Sequence, residues 1–160
     1  GADIITDFLK SKGIENMLVE LGGEGMAIGI NLESGKPWEL GLVDPTAPEK
    51  FIGYISLSGK SFSTSGNYFN YREVNGIRYS HTIDPASGYP VQRALLSATV
   101  FAADCTTADA WATAFMSMGH EKAIEILSSR KDIDACLIWS VPGGTEKHIT
   151  PGIAGSITMN

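Results

Sequence analysis

The sequence predicts an α+β fold in which a mostly antiparallel sheet packs against helices. Many short strand-like segments follow one another through the first two thirds of the chain, whereas helical periodicity occurs once at the beginning and twice late in the chain. Asn75-Gly76 separates two of these strands, and Asn-Gly is the strongest short signal of a β-hairpin. Strands and helices segregated in this way favour an antiparallel sheet over alternating βαβ units.

Composition indicates one turn-rich domain. The chain has 160 residues, a size that can bury a core without metal or disulfide crosslinks. Charged residues make up 19%, below the roughly 25% that is usual, and there are 18 glycines where average usage gives roughly 11. No repeat, low-complexity run or linker divides the sequence. We therefore expect a single domain over residues 1–160.

The charge balance argues against two classes of partner. Twelve Lys and Arg against 18 Asp and Glu leave a net charge of −6, whereas nucleic acids and anionic membranes require clustered positive charge. No apolar run approaches the roughly 18 residues of a membrane span, and the N-terminus lacks the pattern of a signal peptide. A small anionic ligand is not excluded, but its binding would need a local source of positive charge. Cys105 and Cys136 form no metal-binding pattern and are expected to be buried free thiols.

The first element is a predicted helix at residues 3–12. Gly13 follows it and suits the left-handed position after a helix end. The apolar residues of this predicted helix begin almost at the first residue of the chain, with no capping residue before them. This is expected for a chain that starts inside a larger domain. The apolar residues of this helix form one stripe: Ile4, Ile5, Phe8 and Leu9.

Apolar runs bounded by turn residues predict the strands. The first two are joined as a hairpin by the glycine-rich segment 22–25. The tripeptide at 59–61 resembles the end of a P-loop, but the preceding glycine has the wrong spacing. We place the strands at residues 17–21, 26–30, 38–43, 54–57, 68–74, 77–80, 95–102 and 135–139.

Two helices are predicted late in the chain, at residues 107–118 and 121–129. Asp109 and Thr113 are four residues apart in the first of these and therefore share one face. A carboxylate and a hydroxyl so placed suit Mg²⁺, which takes its remaining ligands from water and substrate phosphates. Alternatively, residues 106–109 match a capping box, in which Asp109 would only close the helix N-terminus. The spacing leaves both interpretations open.

A second candidate is the polar segment around His81. Hydroxyl residues and glycine at 64–68 and a proline-containing turn at 79–85 could leave backbone N–H groups open to an anion. His81 could take part in chemistry there, or could simply hydrogen-bond within its loop. His120 and His148 are expected to be structural or solvated.

Taken together, these segments resemble the ApbE-type flavin transferases, which are FAD:protein FMN transferases. Their order and spacing agree over nearly all of the chain, including a Gly-Gly-acidic turn at 22–24. The motifs that carry the resemblance are WELGLVDP at 38–45, STSGNY at 63–68, YSHTIDP at 79–85, GYP at 88–90 and DCTTADAWAT at 104–113.

The resemblance implies a magnesium-dependent reaction. FAD is split at its pyrophosphate, FMN passes to a Thr or Ser hydroxyl of an acceptor protein, and AMP is released. It makes Asp109 and Thr113 metal ligands, places His81 at the catalytic phosphates and in the FAD site, and puts Ile83 in the lining of that site. Two alternatives stay open, a magnesium-dependent FAD pyrophosphatase and a non-catalytic flavin-binding fragment.

The chain departs from the family pattern at two points. The family often has aspartate where this chain has Asn67. Family members are also considerably longer, so the resemblance implies that this chain is the C-terminal portion of a transferase, with Asp3 closing a glycine-containing loop that would precede Gly1. It further implies a periplasmic lipoprotein of the inner membrane, attached only through an N-terminal lipid anchor outside this sequence.

Overall fold

The computed structural model describes residues 1–67, 71–74, 77–80 and 82–160. Within those residues the chain forms four helices and eleven strands. In chain order they are α1 (Ala2–Ser11), β1 (Met17–Leu21), β2 (Glu24–Ile28), β3 (Trp38–Asp44), β4 (Ala47–Leu57), β5 (Lys60–Gly66), β6 (Tyr71–Val74), β7 (Ile77–Ser80), β8 (Leu95–Ala102), α2 (Cys105–Met118), α3 (His120–Ser129), β9 (Asp134–Val141), β10 (Gly144–Ile149), α4 (Pro151–Ala154) and β11 (Ile157–Met159).

The strands form a six-stranded sheet, a three-stranded sheet and a separate hairpin. The larger sheet has the order β1-β2-β5-β8-β9-β10, the smaller has the order β11-β4-β3, and β6 pairs with β7. Every strand pair in the described part of the chain is antiparallel. The predicted α+β class with a mostly antiparallel sheet is therefore confirmed.

The central strands of the six-stranded sheet are buried on both faces. On one face Val100 and Leu137 belong to the cluster that packs against α2 and α3. On the other face Phe62 and Phe101 pack with Leu42 and other residues of the smaller sheet. Successive residues of a strand point to opposite faces, so β8 supplies one cluster with Val100 and the other with Phe101. The helices and the smaller sheet thus lie on opposite sides of the larger sheet.

The predicted apolar stripe of α1 is only partly buried. Leu9 packs against a small cluster that includes Met17 and Cys105. By contrast, Ile4 is 75% exposed and Phe8 is 59% exposed. The buried residues of this helix are the small Ala2 and Thr6. Local periodicity identified the helix but not the face that the protein buries.

Most predicted elements are found within a few residues of their expected bounds. The hairpin turn between β1 and β2 has Gly22 at φ +62° and Gly23 at φ +94°, the conformation that favours glycine at both central positions. The predicted Asn75-Gly76 turn lies outside the described residues, but β6 and β7 on either side of it do pair.

Several local expectations were wrong or incomplete, and β10, α4 and β11 follow the last strand that the sequence predicted. The strand predicted at 54–57 is longer than expected, because β4 begins at Ala47 and pairs with β3 from there. The strand β5 was not predicted at all, since its residues are mostly Ser, Thr and Gly rather than apolar. Cys105 and Cys136 are buried and free, as expected. None of the helices in the described ranges has the length and apolar character needed to cross a membrane.

Candidate functional site

The N-terminus of α2 is closed by Asp104. The Asp104 carboxylate accepts hydrogen bonds from the backbone N–H of Thr107, at 2.7 Å, and from the Thr107 hydroxyl, at 2.9 Å. Asp109 is the fifth residue of the helix, beyond the four N–H groups that lack a partner within it. The capping-box interpretation of Asp109 is therefore wrong, since its side chain does not close the helix N-terminus.

Asp109 and Thr113 face the strand β5. The Ser63 hydroxyl donates a hydrogen bond to Asp109 Oδ1 at 3.1 Å. One helical turn further on, the hydroxyl oxygens of Thr113 and Ser65 lie 3.2 Å apart. The carboxylate and the hydroxyl are thus on the same helix face, as their spacing predicted, and each has a serine of β5 as its partner.

A cavity of about 700 Å³ adjoins this pair of side chains. It is lined by residues of the helix-covered side of the sheet and by residues between the two sheets, with Gly22 and Gly23 at the hairpin turn. Its polar side chains are those of Glu20, Thr64, Ser65, Thr99, Asp109 and Thr113, and its apolar side chains are those of Leu40, Leu42, Val43, Ile55, Phe62 and Phe101. A cavity of this size and mixed character suits a ligand with both polar and aromatic parts.

The structure does not bring Ile83 to this cavity. Ile83 is 50% exposed, pairs with Pro90 through an isolated β-bridge, and is absent from the cavity lining. Its neighbour Asp84 accepts hydrogen bonds from Ala86 N–H and the Ser87 hydroxyl, a turn role. The other predicted site residue, His81, lies outside the described residues.

Asp3 makes a contact with α2 that sequence reasoning missed. Its carboxylate accepts hydrogen bonds from the backbone N–H groups of Cys105, at 2.7 Å, and Thr106, at 2.9 Å, and from the Thr106 hydroxyl. Burial raises the pKa of Asp3, but these hydrogen bonds outweigh burial and lower the pKa to about 2. Asp3 therefore stays ionised at the helix N-terminus, where negative charge is favourable.

The side-chain amide of Asn67 donates a hydrogen bond that an aspartate could not make. Its Nδ2 donates a hydrogen bond to the Leu95 carbonyl oxygen at 3.3 Å, and its backbone N–H donates to the carbonyl of Leu96. A carboxylate at this position could not donate the first of these bonds. The departure from the family pattern thus fits its local surroundings.

The donor atoms at the site suit Mg²⁺. Asp109 and Thr113 offer a carboxylate and a hydroxyl oxygen, both of which are hard ligands. Within the described ranges no group of three or more His, Cys, Asp and Glu side chains is placed to hold a metal ion. Mg²⁺ typically uses one or two carboxylates and completes its shell with water and substrate phosphates, so this sparse donor set fits it.

Comparison with known proteins decides the family. The chain matches the ApbE family over residues 1–137. The chain belongs to the ApbE family. Two ApbE relatives, both named FAD:protein FMN transferase, come from Vibrio cholerae serotype O1 and Escherichia coli K12. The first is 39% identical over 132 residues, covering 82% of this chain and 39% of the relative. The second is 40% identical over 127 residues, covering 79% of this chain and 36% of the relative.

Solved ApbE structures share the fold. The flavin transferase ApbE from Vibrio cholerae matches with a TM-score of 0.82 at 33% identity, covering 94% of this chain and 47% of that one. The apo form of the Pseudomonas stutzeri flavinyl transferase ApbE gives a TM-score of 0.78 at 36% identity, covering 94% of this chain and 46% of that one. The chain therefore spans less than half the length of these relatives.

Proposed function

We propose that the protein containing this chain transfers FMN from FAD to a Thr or Ser hydroxyl of an acceptor protein and releases AMP, with Mg²⁺ held by Asp109 and Thr113. Membership of the ApbE family and the names of its relatives support flavin transfer. The periplasmic location and the lipid anchor implied by the sequence resemblance stay predictions.

One observation carries the proposal, namely that Asp109 and Thr113 lie together at a cavity of about 700 Å³. An FAD molecule has aromatic ends joined by an anionic pyrophosphate, and the cavity lining has matching apolar and polar parts. A pyrophosphate beside the Asp109 carboxylate would be repelled unless a cation stood between them. A divalent cation on the two oxygen donors removes that conflict.

The proposed reaction is a displacement at phosphorus. The acceptor hydroxyl oxygen forms a bond to the phosphorus of the FMN half of FAD. The bond from that phosphorus to the bridging oxygen breaks, and AMP leaves with the electron pair. The hydroxyl proton passes to a base, and we propose His81, whose ordinary pKa of about 6.5 suits proton transfer near neutral pH. Bound Mg²⁺ supplies charge neutralisation and alignment of the pyrophosphate oxygens.

The experiment combines the full-length protein with FAD, Mg²⁺ and an acceptor peptide that contains threonine. We expect the peptide to gain the mass of FMN less water while AMP appears in equal amount. Free FMN and AMP without a labelled peptide would indicate the pyrophosphatase alternative, and FAD binding without turnover would indicate a non-catalytic flavin-binding protein. Either result would overturn the proposal.

A pair of carboxylate variants tests the metal assignment. Asp109→Ala should abolish Mg²⁺-dependent turnover, while circular dichroism shows that the fold survives. Asp7→Ala removes an exposed carboxylate from α1, away from the cavity, and should leave turnover unchanged. Normal turnover of Asp109→Ala would exclude this residue as the magnesium ligand.

A further inference from the structure

Three serines of β5 face three residues of α2 in register. Cys105 Sγ lies 3.5 Å from Ser61 Oγ. Ser63 Oγ lies 3.1 Å from Asp109 Oδ1, and Ser65 Oγ lies 3.2 Å from Thr113 Oγ1. Alternate residues of the strand thus contact every fourth residue of the helix. We call these three side-chain pairs the serine ladder.

The ladder follows from the geometry of the two elements. Four residues of an α-helix advance about 6 Å, because each residue rises about 1.5 Å. Two residues of a strand advance about 6.8 Å and return to the same face. The two repeats nearly match, so a strand that runs along a helix can keep its contacts for several steps. The intervening Thr64 points to the opposite face, where its hydroxyl contacts that of Thr99 at 2.9 Å.

We propose that Ser63 and Ser65 are positioning residues for the metal ligands Asp109 and Thr113, a proposal that rests on the function proposed above. Ser63 is 2% exposed, so its hydroxyl is held within the sheet-to-helix packing. Its hydrogen bond to Asp109 Oδ1 orients the carboxylate and leaves Oδ2 for the cation. A fixed carboxylate loses less conformational freedom when the cation binds.

Ser65 acts on the hydroxyl ligand. Either oxygen of the Ser65 and Thr113 pair can donate in the absence of metal. A cation on Thr113 Oγ1 occupies an oxygen lone pair, so the Thr113 proton must point away from it, and Ser65 Oγ is there to accept that proton in a hydrogen bond. The Ser65 proton is then available to an anionic oxygen in the cavity that Ser65 itself lines.

The third pair of the ladder provides the matched control. Ser61 is 0% exposed and lies on the same strand and face as Ser63. Its partner Cys105 is not a proposed ligand, and burial raises the pKa of the Cys105 thiol to about 11, so this thiol is uncharged. Ser61→Ala therefore removes the same kind of buried hydroxyl from the same strand without touching a metal ligand.

The experiment titrates Mg²⁺ into the full-length protein in the presence of saturating FAD by calorimetry, for the unsubstituted protein and for Ser61→Ala, Ser63→Ala, Ser65→Ala and Asp109→Ala. Removing a group that orients a metal ligand typically weakens metal affinity about 10- to 100-fold, and we expect that loss for Ser63→Ala and Ser65→Ala. Ser61→Ala should lower thermal stability and leave Mg²⁺ affinity unchanged. Saturating Mg²⁺ should restore turnover of Ser63→Ala.

The outcomes separate this proposal from the proposed function. If Asp109→Ala abolishes Mg²⁺ binding but Ser63→Ala and Ser65→Ala bind Mg²⁺ normally, the positioning role is overturned and the metal site stands. An equal loss of affinity in Ser61→Ala would also overturn it, since the effect would then be general disruption of β5. If the unsubstituted full-length protein binds no Mg²⁺ in the presence of FAD, the proposed function itself is overturned.

Discussion

Asp3 and Thr106 lie 103 positions apart, yet the Asp3 carboxylate accepts hydrogen bonds from both the backbone N–H and the hydroxyl of Thr106. The backbone N–H of Cys105 also donates to this carboxylate. Asp3 thus provides the acceptor for N–H groups in the first turn of α2 that have no partner within the helix. Asp104 takes the next donor, that of Thr107. The helix that carries the proposed metal ligands is thus fixed at its start by a residue of α1.

The first prediction concerns pH and Asp3. Its pKa is about 2 in the folded protein, against an ordinary value of 3.8, because the hydrogen bonds outweigh burial. A lowered folded-state pKa contributes stability that is complete above the ordinary value and is lost as pH falls from about 4 to about 2. Urea unfolding should therefore show a falling free energy of unfolding over that pH range.

The Asp3→Asn variant tests the origin of this pH dependence. Loss of the charged cap should lower the free energy of unfolding at pH 7 by about 1–2 kcal/mol and flatten its slope between about pH 4 and pH 2. Asp7→Asn changes an exposed carboxylate of the same helix and should do neither. A wild-type slope in Asp3→Asn would show that another group titrates.

The second prediction separates capping from metal binding on α2. Asp104→Ala should lower the free energy of unfolding by about 1 kcal/mol, because the Thr107 N–H loses its acceptor, and should leave Mg²⁺ affinity intact. Asp109→Ala should abolish Mg²⁺ binding and leave the hydrogen bonds that cap α2 intact. Urea unfolding and magnesium calorimetry on both variants measure the two effects. Loss of both properties in both variants would contradict separate roles.

The third prediction concerns His81. If it acts at the phosphates, His81→Ala should slow the transfer rate at saturating FAD far more than it raises the Kd for FAD. Single-turnover kinetics and flavin fluorescence measure the two quantities separately. His148→Ala, on the half-buried end of β10, is the control and should change neither. Equal effects on rate and affinity would make His81 a binding residue.

The fourth prediction concerns Ile83, which is half exposed in the structure. If this side chain packs against bound FAD, Ile83→Ala should raise the Kd for FAD roughly 10-fold, since burying half of such a side chain contributes about 1–1.5 kcal/mol. Leu32→Ala truncates another exposed apolar residue, 74% exposed in the turn before β3, as a control. An unchanged Kd for Ile83→Ala would remove Ile83 from the FAD site.

Strand β5 shows where sequence patterns are insufficient. Its residues alternate as Ser61, Phe62, Ser63, Thr64, Ser65, which is a period of two, but small hydroxyl residues do not mark a buried face. They are buried because α2 covers them and supplies partners such as Asp109. The alternation was the available signal for Ser63 and Ser65, and the apolar criterion used for the other strands overlooked it.

The sequence by itself determined that Asp109 and Thr113 share one face of a helix, because helical periodicity depends only on residues a turn apart. The sequence left the cap of that helix open, because local hydrogen bonds compete at a helix start, and the structure assigns it to Asp104, three residues before Thr107. Only the tertiary structure placed the two ligands beside strand β5. It also decided the partners Ser63, Ser65 and Asp3, which lie 46, 48 and 102 positions from the groups they contact. Such contacts depend on how the sheet and helices pack, and no local pattern encodes them.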